Sequence, residues 1–318
     1  MTTAEPTAIG AAHVAARTGP LSRFQNMNRD KREQAIVAYL FLLPDVLGLL
    51  IFVVGPMLLA LAISFSDWRL TGTPEFVGLR NYDIILKDPK FGASLGRTML
   101  YTIGYVPAVY LISLGMALLL TRRGRGNFFF RTIYFMPVAM SMVVAGVIWR
   151  FMFDPGNGLI NEMLGAVGLP TLQWTGHVQS AMVSVLIVAI WKSVGYFMII
   201  LLAGIQDIPS DYIEAAQIDG ANRWQTFRFI IMPLLRPTSF FVLVVLSINA
   251  LQAFDQIYVM TRGGPAQATY TLLMYIYEKA FREWNFGYSS AMAVVLFGMI
   301  FVLTLVQVRY FRSTDVRQ

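Results

Sequence analysis

The sequence of 318 residues contains no cysteine and only two histidines. The lack of cysteine excludes disulfides and thiolate metal ligands. His13 and His177 are far apart in the chain and lie outside every long apolar run. We therefore expect no metal site, no Ser-His catalytic pair and no cofactor in this chain.

Charged residues are also scarce. Asp, Glu, Lys and Arg make up 14% of the chain, whereas hydrophobic residues make up 56%; soluble domains are about 25% charged. Such a composition predicts lipid as the surrounding medium. The net charge of +7 is compatible with nucleic acid, but the basic residues stand at the ends of apolar runs and form no basic-aromatic face. We expect membrane lipid as a partner and no nucleic acid.

Six apolar runs reach, or nearly reach, the length of about 20 residues that a helix needs to cross a bilayer. The runs are continuous rather than alternating, which favours helices over a β-barrel. They cover approximately residues 39–65, 99–121, 132–153, 181–203, 240–254 with extension to 234–259, and 291–311. The predicted fold class is an all-α membrane protein with six transmembrane helices.

The runs also divide the chain into a polar tail (1–35), a six-helix membrane domain (36–312) and a short second tail (313–318). The first tail is polar and mixed in charge, which is typical of disorder. With both termini in the cytoplasm, 15 of the 25 Lys and Arg residues fall on inner segments and 8 on outer loops. This asymmetry follows the positive-inside rule, so we predict a multi-pass protein with both termini cytoplasmic.

The longest inner loop, residues 205–236, has the pattern of two short helices joined by a tight turn. Ser210 or Asp211 opens the first helix, and Glu214 stands three residues after Asp211, where a capping-box partner belongs. Gly220 closes the helix because glycine adopts left-handed backbone most easily. The second helix is capped by Asn222, with Gln225 three residues later. This loop is the candidate contact with a soluble partner; an amphipathic hairpin lying on the membrane is the alternative.

The letters EAAQIDGA followed by IIMPLLRP resemble the E-A-A-x-x-x-G loop, with its later I-x-L-P, of binding-protein-dependent ABC importer permeases. The isoleucine position is taken by Ile230, and Met232 replaces the usual leucine before Pro233. In that family the loop is the coupling helix that seats in a cleft of the ATPase subunit. The resemblance implies an ATPase-coupling role for Glu214, Ala215, Ala216, Asp219 and Gly220.

The resemblance covers approximately residues 32–312 and extends to the carbohydrate-uptake branch. WKSVGYFMIILLAGIQDIP, FDQIYVMTRGGPAQATYTLLMYIYEKAF and GYSSAMAVVLFGMIFVLTLVQ look like the first permease of maltose-, lactose- and glycerol-3-phosphate-type importers. This implies an ABC type I importer permease fold with a cytoplasmic coupling helix, located in the bacterial plasma (inner) membrane. It also implies three kinds of partner: a second homologous permease, two copies of a cytoplasmic ATPase, and an extracytoplasmic substrate-binding protein.

The chain has no G-x-x-x-x-G-K-[ST] phosphate-binding motif. ATP and Mg are therefore expected in the partner ATPase, and this chain is predicted to be a transporter subunit rather than an enzyme. The resemblance implies import of a sugar or related polyol by alternating access: a disaccharide or oligosaccharide, or glycerol-3-phosphate or a glycerophosphodiester. An ion-coupled secondary carrier and a membrane enzyme acting on lipid-linked sugars are the alternatives.

Polar residues inside the fourth and fifth runs are candidates for a substrate path, because such groups are costly in lipid and usually face a cavity or a protein neighbour. The candidates are Lys192, Ser193, Tyr196, Asn249, Gln252, Asp255 and Gln256. The spacing of Asn249, Gln252 and Gln256 predicts three amides on one helical face. An aromatic ring beside amides suits a neutral polyol; hydrogen bonding between helices is the alternative. The positions of Ser193, Tyr196 and Gln252 correspond to substrate-contacting stretches of the maltose-type permease.

Two further groups carry expectations. Lys192 either attracts an anionic group of the substrate, pairs with an acid such as Asp255, or reaches a watery cavity. The turn at Gly263, Gly264 and Pro265, with the loop that follows it, is expected to help dock the binding protein.

Overall fold

A computed structural model describes residues 29–121 and 126–315, and these are mostly helical. The helices are α1 Arg29–Leu49, α2 Gly55–Ile63, α3 Arg80–Lys87, α4 Pro89–Leu120, α5 Asn127–Ala139, α6 Met142–Met152, α7 Leu159–Ala166, α8 Val178–Gln206, α9 Ser210–Ile218, α10 Arg223–Thr226, α11 Met232–Leu234, α12 Arg236–Leu251, α13 Asp255–Met260, α14 Leu272–Phe281 and α15 Phe286–Asp315. Two π-helical segments cover Leu50–Val54 and Phe227–Ile231, and a 3-10 turn covers Trp174–Gly176. Strands β1 (Ser66–Asp67) and β2 (Glu75–Phe76) pair antiparallel.

Most of the predicted first tail lies outside the described residues, as do residues 122–125 and 316–318. The first helix begins at Arg29 and the last ends at Asp315, so helical structure extends into both predicted tails. The chain divides into two compact units, and the division along the sequence falls between Leu59 and Ala60.

Five helical stretches are long and apolar enough to cross a bilayer. They are Ile36–Ile63, Pro89–Leu120, Val178–Gln206, Arg236–Met260 and Phe286–Phe311. The pair α5 and α6 supplies a sixth crossing if it is counted as one span. The all-α membrane fold is therefore confirmed. The prediction of a continuous helix over 132–153 was wrong, because α5 and α6 meet at a bend of 98°.

Local chemistry explains the break in the third span. Pro137 has no N–H for the helix ladder, and α5 ends two residues later at Ala139. Met140 is extended, and Ser141 then caps α6 by accepting a hydrogen bond from the Val144 amide at 3.2 Å. A serine cap starts a new helix in a new direction.

The fifth span is interrupted as well, but for a different reason. Helix α12 ends at Leu251 and α13 begins at Asp255, although no proline or glycine lies between them. The Ala253 carbonyl, which leaves the helix ladder here, accepts a hydrogen bond from the buried Thr271 hydroxyl at 3.2 Å. This break is therefore stabilised by a contact from a distant loop.

The first unit consists of α1, the π-helical segment and the start of α2. The Gly55 amide donates to the Leu50 carbonyl, five residues back, and the next residue, Pro56, has no amide to donate. The π-turn thus shifts the hydrogen-bonding register immediately before a proline. Its large apolar side chains are exposed, as expected of a surface that contacts lipid or another membrane protein.

The second unit has its core where α4 and α8 pack along each other and α12 contacts both. Val109, Val185, Leu201 and Leu246 are fully buried there. Because lipid is as apolar as leucine, close packing of these side chains, rather than their removal from water, stabilises the contact between the helices.

The loops of the second unit that are predicted to lie outside the cell membrane are joined to one another at one face. The amides of Phe286 and Gly287 donate to the Trp68 carbonyl at 2.9 and 3.2 Å. A Cβ atom at Gly287 would lie 2.0 Å from the Ser66 carbonyl oxygen, so only glycine fits. The start of α15 is therefore attached directly to the loop that precedes α3.

Asp88 provides a second attachment at this face. It caps α4 by accepting from the Lys90 amide, and it also accepts hydrogen bonds from the hydroxyls of Tyr275 at 2.6 Å and Tyr288 at 2.7 Å. Burial alone would raise the pKa of Asp88, but these hydroxyls and the amides of Lys90 and Phe91 together lower it below its ordinary value. The ionised carboxylate thus joins three segments of the chain.

Candidate functional site

A cavity of about 830 Å³ lies within the second unit, between α4, α8, α12 and α15. All seven residues predicted for the substrate path line it, although they come from two stretches more than fifty residues apart. Its volume falls within the range of about 300–1,000 Å³ typical of small-molecule sites. The structure therefore brings the predicted residues together, and their contact with a substrate stays a prediction.

Two of the seven form bonds between helices. The Tyr105 hydroxyl donates to Ser193 Oγ at 2.7 Å, and Gln256 Nε2 donates to the Tyr101 hydroxyl at 2.8 Å. These are the interhelical hydrogen bonds expected in the alternative interpretation. Tyr101 and Tyr105 of α4 were missed in the sequence, although two tyrosines four residues apart in an apolar run share a helical face.

Four of the seven present unpaired groups to the cavity. Tyr196, Asn249, Gln252 and Asp255 are exposed there, and none of their side chains has a hydrogen-bond or ion-pair partner within residues 29–121 and 126–315. The prediction of one continuous helical face for the amides was wrong, because α12 ends before Gln252. Gln252 is instead the first residue of the non-helical segment, and Asp255 is the first residue of α13.

Lys192 faces the cavity and also bonds to the protein main chain. Its ammonium group lines the cavity and donates to the carbonyl oxygens of Pro137 at 3.3 Å and Val138 at 3.4 Å. It forms no ion pair with Asp255 in the part of the chain that the structure describes. The pairing with Asp255 that the sequence left open is therefore wrong, and the lysine contacts the carbonyl end of α5.

The predicted coupling hairpin begins with α9. Gly220 has φ +81°, which confirms the left-handed turn predicted for it. The Ala221 amide donates to the Ala216 carbonyl at 2.9 Å and the Gly220 amide to the Gln217 carbonyl at 3.0 Å. This is the Schellman arrangement, which satisfies carbonyls at the helix end.

The start of α9 agrees with one of the two predicted openings, Ser210, and not with the other, Asp211. Pro209 takes the cap position without a side-chain hydrogen bond, and the helix begins at Ser210. Asp211 therefore lies inside the first turn, so its predicted capping box with Glu214 does not form. The acidic Asp211 side chain still lies near the positive end of the helix dipole.

The second helix follows the prediction. Asn222 accepts from the Gln225 amide at 2.9 Å, and Gln225 accepts from the Asn222 amide at 2.8 Å, so both bonds of the capping box are present. The π-helical segment follows, in which the Met232 amide donates to the Phe227 carbonyl. As in the first unit, a π-turn directly precedes a proline, here Pro233.

The hairpin presents a mixed surface. Glu214, Ala215 and Asp219 are exposed, whereas Ala216 is buried against the hairpin itself. Ile218 is 86% exposed. Exposed large apolar side chains rimmed by acidic groups are typical of a surface that binds another protein.

The outer loop predicted to dock a binding protein is well ordered by internal contacts. Gly263 has φ +84°, and a Cβ atom there would lie 2.6 Å from Cδ2 of Tyr270. The Gly264–Pro265 peptide is cis, and the buried Thr269 hydroxyl donates to the Gly264 carbonyl at 3.0 Å. Gly263 and Gly264 are thus in close contact with Tyr270 and Thr269 of the same loop, and the docking role of the loop stays a prediction.

Comparison with known proteins identifies the family. Residues 109–315 match the family described as "Binding-protein-dependent transport system inner membrane component". A probable ABC transporter permease of Pyrococcus horikoshii is 40% identical over 84% of this chain and 92% of its own. The sn-glycerol-3-phosphate transport system permease protein of Agrobacterium fabrum is 37% identical over 86% of this chain and 94% of its own.

Among solved structures, the fold is similar to a chain of the bacterial alginate ABC transporter in complex with an alginate pentasaccharide-bound periplasmic protein. The TM-score is 0.79, and the likeness covers 90% of this chain and 97% of that chain at 21% identity. This likeness confirms the predicted type I importer permease fold. The chain belongs to the family of binding-protein-dependent transport system inner membrane components, as an ABC transporter permease.

Proposed function

We propose that this chain is one permease half of an ATP-driven importer that moves a carbohydrate or related polyol into the cytoplasm by alternating access. The relatives include permeases named for glycerol-3-phosphate, for starch degradation products and for multiple sugars. Family membership favours this function over an ion-coupled carrier.

The observation that carries the substrate class is the set of unpaired groups in the cavity. Asn249 and Gln252 each offer both donors and an acceptor, Asp255 offers acceptors, and Tyr196 offers a ring face and a hydroxyl. A polyol with neighbouring hydroxyl groups satisfies all four, because each hydroxyl both donates and accepts. Because these side chains are exposed to the cavity and bond to no other described residue, they are free to bind a ligand rich in hydroxyls.

The charges in the cavity favour a neutral sugar over a phosphate ester. Lys192 directs two of its donors to main-chain carbonyls, whereas the Asp255 carboxylate is unpaired among the described residues. A phosphate carries nearly two negative charges, and an adjacent carboxylate of like charge disfavours it. We therefore propose a neutral disaccharide or oligosaccharide ahead of glycerol-3-phosphate and its diesters.

The partners follow from the two ends of the molecule. The hairpin around α9 provides an exposed apolar and acidic surface for a cytoplasmic ATPase, which in a symmetric importer binds as two copies. The loop at Gly263, Gly264 and Pro265 lies on the opposite face of the membrane, where a substrate-binding protein would dock. A second homologous permease completes the cavity, and both termini then lie in the cytoplasm of a bacterial cell.

The experiment compares Gln252→Ala with Gln307→Ala in the assembled transporter reconstituted into liposomes. Gln307 is also an amide within a membrane helix, but it bonds to Ser247 and does not line the cavity. Uptake of the sugars that the cognate binding protein binds is measured as a function of concentration. We expect Gln252→Ala to raise the sugar concentration that gives half-maximal uptake roughly tenfold, the equivalent of about one hydrogen bond to a ligand.

Gln307→Ala serves as the control, and it should change assembly rather than selectivity. Equal uptake by Gln252→Ala and the wild-type protein for every sugar would remove the cavity from the substrate path. Uptake that requires no ATP and no second permease would contradict the importer itself.

A further inference from the structure

The bend in the third span is held from one side by α8. A Cβ atom at Gly195 would lie 1.9 Å from the Tyr134 carbonyl oxygen, so α8 and α5 touch through their backbones at this level. One turn away on α8, Lys192 donates to the carbonyls of Pro137 and Val138. The two helices run antiparallel, so these two contacts involve successive turns at the end of α5.

The chemistry of the α5 end suits an ammonium group. The last carbonyls of a helix have no intrahelical donor, and they carry the negative end of the helix dipole. The Met140 amide donates to the Pro137 carbonyl at 3.3 Å, but no main-chain amide donates to the Val138 carbonyl within the residues that the structure describes. Lys192 therefore supplies a charged donor to the Val138 carbonyl, which the break has left without a main-chain donor.

The neighbouring residue of α8 contacts the other arm of the bend. The ring of Trp191 lies edge-on to Trp149 of α6, with ring centroids 5.3 Å apart. Adjacent residues of α8 thus contact the two arms: Lys192 holds α5 and Trp191 holds α6. One turn of α8 therefore contacts both arms of the bend.

The break is also part of the cavity wall. Val138 from the last turn of α5 and Met142 from the first turn of α6 line the cavity together with Lys192. An ammonium group has three N–H donors, and two of them are directed to main-chain carbonyls. The remaining donor is available to an oxygen atom of a molecule in the cavity.

We propose that Lys192 is a positioning residue that holds α5 at its observed angle to α6 and links that angle to occupancy of the cavity. An oxygen acceptor of the solute shares the ammonium with the carbonyls at the end of α5. Binding of the solute therefore changes how firmly the bend is held. The link to occupancy rests on the proposed transport function, whereas the holding of the bend does not.

The test measures the distance across the bend. The chain has no cysteine, so Phe129→Cys on α5 and Ile148→Cys on α6 are its only labelling sites, and with cysteine-free partner subunits double electron–electron resonance reports this distance alone. Both positions are exposed, 63% and 44%. The labelled full chain is purified with its partner subunits in lipid nanodiscs, and Lys192→Met, Lys192→Arg and Lys87→Met are compared.

We expect one narrow distance distribution for the wild-type background, for Lys192→Arg, which keeps the donors, and for Lys87→Met, which changes an exposed lysine far from the bend. Lys192→Met should lose the single narrow distribution and populate a second distance. If Lys192→Met does not assemble, Lys192→Gln, whose shorter side chain does not reach the carbonyls, should give the same change. A Lys192→Met or Lys192→Gln distribution that superimposes on the wild type overturns the proposal.

A second measurement addresses the link to the cavity. The ratio of solute transported to ATP hydrolysed is determined in liposomes for the same variants. We expect Lys192→Met to lower this ratio several-fold for neutral and anionic solutes alike, with Lys192→Arg close to the wild type. Loss restricted to anionic solutes, with the distance unchanged, would make Lys192 a reader of substrate charge and overturn the positioning role. Absence of ATP-driven uptake in the wild type would refute the transport function but leave the distance measurement valid.

Discussion

The turn at Gly220 allows a mechanical test of the hairpin that is independent of its folding into the membrane. Gly220 has φ +81°, and an added Cβ atom would meet no other atom within 4 Å. Substitution therefore changes only the backbone preference at this position, without a steric clash. The best comparison is between Gly220→Val, which disfavours left-handed backbone strongly, and Gly220→Asn, which tolerates it.

The size of the effect follows from the backbone. A left-handed conformation costs an L-residue about 1–2 kcal/mol relative to glycine, which corresponds to roughly a 5- to 30-fold change in a local equilibrium. Relief of this strain requires loss of the Schellman bonds from Ala221 to Ala216 and from Gly220 to Gln217. We thus expect Gly220→Val to depopulate the closed hairpin by about that factor, while the spans that bury the core are unaffected.

The assay is ATP hydrolysis stimulated by substrate and binding protein in reconstituted liposomes. Gly220→Val should reduce the stimulated rate roughly 5- to 30-fold and leave chain insertion and the yield of assembled transporter unchanged. Gly220→Asn should retain most of the stimulation. Normal stimulation in Gly220→Val, or equal loss in both variants, would refute the argument from backbone conformation.

Two further predictions concern the outer face, and both are measured as thermal unfolding of the purified transporter. The pKa of Asp88 lies below its ordinary value of 3.8, so the ionised carboxylate contributes to stability above that pH and this contribution is lost as pH falls through the lowered pKa. Asp88→Asn should remove this pH dependence and lower the free energy of unfolding by about 1–2 kcal/mol after allowance for partial exposure. Parallel profiles of stability against pH for the two proteins would contradict this prediction. Gly287→Ala places a methyl group 2.0 Å from the Ser66 carbonyl and should lower the free energy of unfolding by about 1–3 kcal/mol. The control Gly298→Ala, in the same helix, has no atom within 4 Å of the added methyl group and should leave stability unchanged. Equal melting temperatures for the two variants would show that the loop at Ser66 moves aside without cost.

Features that depend on local chemistry were predictable from the sequence. The spans followed from the length of apolar runs, and the hairpin followed from Gly220 and the Asn222 and Gln225 pair, because a left-handed glycine and a capping box need only neighbouring residues. The break in the third span had a local signal as well. Pro137 followed by the serine cap at Ser141 predicts a helix end and a new start, but the apolar composition on both sides concealed it.

Features that depend on distant contacts were not predictable. The break in the fifth span has no proline or glycine, and it is stabilised by Thr271 from a later loop. Which cavity residues are paired and which are free depends on two tyrosines of α4. Tyr101 bonds to Gln256, and Tyr105 bonds to Ser193. Sequence spacing therefore placed the residues near one another, and tertiary packing decided which of them remain available to a ligand.

The central claim is that a separate ATPase binds the hairpin around α9. Site-specific cross-linking in cells tests this claim most directly. A single cysteine or photoreactive group at Ile218 is compared with one at Leu86, since both side chains are 86% exposed and the proposed topology puts them on opposite faces of the membrane. We predict that Ile218 captures an ATP-hydrolysing subunit and that Leu86 does not. Capture of no ATPase from Ile218, or equal capture from both positions, would contradict the account.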